Sequence, residues 1–133
     1  VWYAKYSAGP VSFGYSHSYL DSGVTGTGGA AATAKTIRTA SGVFEETQMS
    51  IAFNVNDNLS ISYTESNDTY DASSNVANGT EIADVEQSTE ALQAAYSMGG
   101  MTIKAFQMEA SNPGWDTNAT KNTFSEISIG LSF

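Results

Sequence analysis

The chain has 133 residues, a net charge of −9, no cysteine and two prolines. Five Lys and Arg are too few for a phosphate-binding surface, which argues against nucleic acid as a partner, and a chain without cysteine has no disulfide framework and no Cys-based zinc site. No stretch approaches the roughly 18 consecutive apolar residues of a spanning helix, and aromatic and β-branched residues are too many for a disordered segment.

Apolar positions recur every second residue, the period of a strand whose two faces meet different surroundings. Trp2, Ala4 and Tyr6 open the pattern and predict a strand over 1–7 that starts in mid-structure, with no initiator Met or signal peptide before it. Val11, Phe13, Tyr15 and Tyr19 alternate with serines and Gly14, predicting a strand over 11–20. Met49, Ile51, Phe53 and Val55 mark 43–55, and Leu59, Ile61 and Tyr63 mark 59–67. Leu92, Ala94, Tyr96 and Met98 mark 88–98. Met101, Ile103 and Ala105 begin 101–111, where Phe106 and Met108 switch phase, which reads as a bulge or a weaker strand. The clearest alternation, Ile127, Ile129, Leu131 and Phe133, predicts the last strand over 122–133.

The connections alternate too. Ala8-Gly9-Pro10, Asn56-Asp57-Asn58 and Gly99-Gly100 are tight turns of the kind that join antiparallel neighbours. The segments around 21–42, 68–87 and 112–121 are long and rich in small and polar residues. Short turns at one end and long loops at the other are the pattern of an all-β, antiparallel transmembrane barrel. Lipid imposes this arrangement because every backbone polar group at membrane depth needs a partner within the protein. A soluble two-sheet sandwich also alternates, but its turns recur more evenly. With tight turns on the periplasmic side, the first and last strands both run inward. A single-chain bacterial barrel has an even strand count, so residues 1–133 are expected to be the C-terminal part of one larger barrel domain.

The last twelve residues, Asn122 to Phe133, resemble the C-terminal signature strand of Gram-negative outer-membrane proteins, which closes on a terminal phenylalanine. Leu92 to Phe106 resembles the strand, tight turn and strand repeat of trimeric general porins, particularly the alphaproteobacterial type. That likeness implies a 16-stranded, homotrimeric, water-filled channel in the cell outer membrane, passing small hydrophilic solutes and ions without catalysis. It also implies lipid and lipopolysaccharide as neighbours, with Phe133 read by the barrel-assembly machinery. The constriction loop of such porins lies in an N-terminal half that this sequence does not contain, so no constriction residue carries over. A small structural or adhesive barrel and a secreted sandwich adhesin are the alternatives.

Several residues are candidates for function. Lys5, Glu46, Glu90, Lys104 and Glu126 are assigned by phase to the face opposite the apolar set, where they would line a pore or simply be solvated. The acidic stretch around 65–90 is expected to be a solvated loop, with Asn67, Asp68 and Asp71 as weak ligands for calcium, which would bridge to lipopolysaccharide. Gly26 to Ala31 matches a dinucleotide fingerprint but lacks the buried parallel strand that chemistry needs, so it reads as external loop. His17, the one histidine, would be the base for a serine nucleophile in an outer-membrane lipase. Its phase favours an interfacial or subunit-contact role instead. Tyr3, Tyr15, Tyr19, Phe44, Tyr63 and Tyr96 suit aromatic girdles at the membrane boundaries.

Overall fold

The computed structural model describes residues 1–21, 42–72 and 83–132. These form seven strands: β1 (Trp2–Ala8), β2 (Val11–Asp21), β3 (Gly42–Asn54), β4 (Leu59–Ala72), β5 (Val85–Met98), β6 (Met101–Ser111) and β7 (Asn122–Leu131). All pair antiparallel with their sequence neighbours in a single open sheet, ordered β1 to β7. There is no helix among the described residues. Nor is there, among those residues, a second sheet to make a sandwich; β1 and β7 are the two edges.

The turns explain the hairpins. Gly9 has φ of 55°, and Pro10 fixes its own φ negative, so of the two favoured hairpin turns only the kind with a left-handed first residue fits. Between β3 and β4, the Asn56 Oδ1 accepts from Asn58 N at 2.9 Å and from Leu59 N at 3.0 Å. This side-chain mimic of a backbone turn reverses the chain without glycine. Asn58 ties that turn sideways to the end of β5, its Nδ2 donating to Ser97 O at 2.6 Å.

Two boundaries differ from expectation. β4 runs on from 67 to Ala72 and β5 begins at Val85, so Glu65, Asp68, Asp71, Glu86 and Glu90 sit on strands and not in a loop. The phase switch at Phe106 is not a bulge either, because pairing from Met101 to Ala110 against both neighbours is unbroken. The two departures share one cause, a reversal of facial polarity along the strands.

Candidate functional site: two faces that exchange polarity

Residues directly opposite in an antiparallel sheet share a face, and alternate residues along a strand change face. The register therefore sorts the strand residues into two sets. One, the isoleucine face, carries Val11, Phe13, Tyr15, Met49, Ile51, Phe53, Ile61, Leu92, Ile103, Ile127 and Ile129 near the tight turns. Beyond them, toward the long connections, the same face becomes His17, Glu45, Thr47, Glu65, Asn67, Glu86, Glu90, Glu109 and Thr123. The other, the serine face, does the reverse. Ser12, Gly14, Ser50, Ser62, Gln93, Lys104 and Ser128 lie near the turns, while Leu20, Phe44, Tyr70, Val85, Phe106, Met108 and Phe124 lie near the long connections.

The apolar half of the isoleucine face is uncovered. Ile127, Ile129 and Leu131 are 75%, 65% and 62% exposed, and the large exposed apolar residues on strands all belong to this face except Tyr3, Leu20 and Phe124. A contiguous apolar surface of this extent needs an apolar neighbour. The small buried core lies on the opposite face, where Tyr70 and Val85 are nearly inaccessible. Phe44 packs there between Tyr70 and Trp115, with ring centroids 4.9 Å and 5.0 Å away. Gly42 belongs to the same cluster, since a Cβ would come within 2.6 Å of both the Tyr70 ring and the Asp71 carbonyl.

The border between apolar and polar halves is oblique. Tyr15, the last apolar residue of β2 before His17, shares a cross-strand row with Met49, Glu65, Glu90, Glu109 and Thr123. Ile127, its counterpart on β7, shares a row with Ala105, Ala94, Ile61 and Phe53. Those rows cross β3 at Met49 and Phe53, four residues apart. Four residues span roughly 13 Å along a strand and the five steps from β2 to β7 roughly 24 Å across, so the border inclines about 30° to the rows.

Polar groups cluster beyond that border on the isoleucine face. Glu65, Glu90 and Glu109 lie directly opposite one another on three adjacent strands. Lys121 donates to Glu109 Oε1 at 2.5 Å, and that hydrogen bond and charge hold the lysine pKa above its ordinary value. His17 Nε2 and Glu45 Oε1 are 2.8 Å apart, and the imidazole stacks near Trp2 and edge-on to Tyr19.

The predicted site residues fall as follows. Lys5, Glu46, Lys104 and Glu126 do lie on the serine face, the side of the sheet away from Tyr15, Met49, Ala105 and Ile127. Glu90 does not: it is two residues from Leu92 and shares its face, in the polar half. Asn67 and Asp71 are on the isoleucine face and Asp68 on the serine face, so alternation keeps these calcium candidates apart. Among the described residues no group of three His, Cys, Asp or Glu side chains is placed to hold a metal. His17 Nε2 lies 2.8 Å from Glu45 Oε1, so its hydrogen-bond partner is a carboxylate and not a serine hydroxyl. Of the girdle candidates, Tyr15, Tyr19, Tyr63 and Tyr96 lie on the isoleucine face, whereas Tyr3 and Phe44 lie on the other. Phe133 and Gly26 to Ala31 lie outside the described residues. Trp115 was not singled out from the sequence, although apolar residues in the opposite phase at Phe44, Tyr70 and Phe106 form a signal for its cluster. Comparison with protein families, with curated proteins and with solved structures finds nothing that matches this chain.

Proposed function

We propose that the sheet is part of the wall of a β-barrel in a Gram-negative outer membrane, of the porin kind. Its isoleucine face meets lipid and its serine face lines a water-filled passage for small hydrophilic solutes. The carrying observation is the oblique border of the uncovered apolar surface. Strands of membrane barrels tilt by about 35–45°, so a flat hydrocarbon boundary must cross their pairing rows at a comparable angle. The inclination of about 30° is close to that tilt. Beyond the border the isoleucine face carries carboxylates, which suit the headgroup region and water. On this reading the tight turns are periplasmic, and the edges of β1 and β7 pair with further strands, since an unpaired edge is not tolerated in hydrocarbon. Trimer formation, contact with lipopolysaccharide and recognition of Phe133 by the assembly machinery belong to the same proposal.

Reconstitution of the full-length protein tests it. Large, ohmic single-channel steps in a planar bilayer are expected; a protein that inserts without conducting would be a structural barrel and not a porin. The chain's two tryptophans test the faces separately. Trp2, on the isoleucine face, should contribute emission that brominated acyl chains quench, so that Trp2→Phe lowers the quenchable emission, while Trp115→Phe should leave it unchanged. Equal quenching of both would remove the assignment of faces.

A further inference from the structure

β6 and β7 are adjacent, so the chain between them needs only a short link, yet residues 112–121 turn back across the serine face. Asn112 Nδ2 donates to Glu86 O at 2.9 Å, Gly114 N to Gln87 Oε1 at 2.6 Å, and Trp115 Nε1 to Asp68 O at 2.9 Å. The indole then meets Phe44 of β3 edge-on. From β6 to β3 is three strand spacings, roughly 14 Å of lateral reach. Asn112, Gly114 and Trp115 all have positive φ, at 47°, 72° and 57°. A left-handed tryptophan is uncommon, and such a conformation persists where surrounding contacts hold it. Here the Trp115 N bond to Asn112 O at 2.9 Å closes the turn, and the contacts to β3, β4 and β5 fix it.

Beneath the indole lies a hollow of about 260 Å³ walled by Ser18, Leu20, Phe44, Glu46, Asp68 and Trp115. It contains no cationic side chain. Glu46 and Asp68 stand directly opposite each other on β3 and β4. Ser18 and Ser66 hydroxyls donate to Glu46 at 3.3 Å and 3.4 Å, while Asp68 Oδ1 is the one buried side-chain polar atom without a partner among the described residues.

We infer that the connection between β6 and β7 is a fixed constriction at the loop end of the water passage. Trp115 is its anchor and size-determining residue, and the Glu46 and Asp68 carboxylates bias passage toward small cations and neutral solutes over anions. This rests on the porin reading, which makes the serine face the wall of the passage. The carboxylates act through their field along the path, which low-dielectric walls focus.

The test uses the full-length protein in planar bilayers under a salt gradient, with liposome swelling for a series of neutral sugars of increasing size. Trp115→Ala, which removes the indole, and Gln87→Ala, which removes the acceptor for Gly114, should each raise single-channel conductance and admit larger sugars. Glu46→Gln and Asp68→Asn should each move the reversal potential toward zero. A conducting parent whose conductance and sugar limit are unchanged in both loop variants overturns the constriction. Unchanged reversal potentials overturn its charge preference. If Trp115→Ala does not assemble, as heat-modifiable gel migration would reveal, Gln87→Ala decides alone because its side chain is only an acceptor at the loop's edge. A parent that never conducts instead defeats the porin reading itself, a distinguishable result.

Discussion

At the scale of single residues, the two faces make opposite demands on neighbouring positions. Ile61 and Ser62 are adjacent on β4, yet Ile61 sits between Leu59 and Tyr63 on the isoleucine face, and Ser62 pairs with Ala52 and Gln93 on the other. On the proposed reading, which sets lipid against one face and water against the other, Ile61→Arg should cost about 2–4 kcal/mol, the penalty for a cation near mid-membrane. Ser62→Arg should stay within about 0.5 kcal/mol, as for an unremarkable water-facing change. Urea unfolding from lipid vesicles, followed by tryptophan emission, measures both. Equal costs would mean that the faces meet the same surroundings.

At the scale of strands, the row Glu65, Glu90 and Glu109 sets three carboxylates side by side on β4, β5 and β6, with Lys121 reaching only the last directly. Side chains directly opposite have Cβ atoms about 5 Å apart, and like charges so placed destabilise a sheet by up to about 1 kcal/mol. Glu90→Gln should therefore raise the urea midpoint in low salt, and the gain should shrink as salt screens the row. A gain independent of salt would point to a cause other than repulsion. The strands themselves were largely legible in the sequence. All seven, with three tight turns and three long connections, follow from period two and from turn residues such as Gly9 and Asn56. The loop-end halves of β4 and β5 were not, because there the apolar residue moves to the opposite face. A search for one continuous apolar stripe stops at Tyr63 and starts at Leu92, and meets Tyr70 and Val85 only as exceptions. The same reversal disguised Phe106 and Met108 as a bulge and put Glu90 on the wrong side. Trp115 was hidden for another reason: its contacts with Phe44 and Asp68 join β6–β7 chain to distant strands, and no local pattern encodes that distance.

At the scale of the whole sheet, the proposed membrane setting makes the polarity reversal the limit on how much hydrocarbon the sheet would match. On β5 the apolar run of the isoleucine face goes from Leu92 to Met98. At a rise of about 3.3 Å per residue this is roughly 20 Å of strand, or about 17 Å of vertical height once inclined by about 30°. A typical bilayer core is about 30 Å thick, and a shorter apolar span is accommodated by thinning the lipid, at a fraction of a kcal/mol per Å. Refolding yield should accordingly rise as the fatty tails of the host vesicles shorten from eighteen carbons toward about ten or twelve. Such a protein would squeeze the leaflets around itself, and neighbouring copies would lower that elastic cost by sharing one dimple.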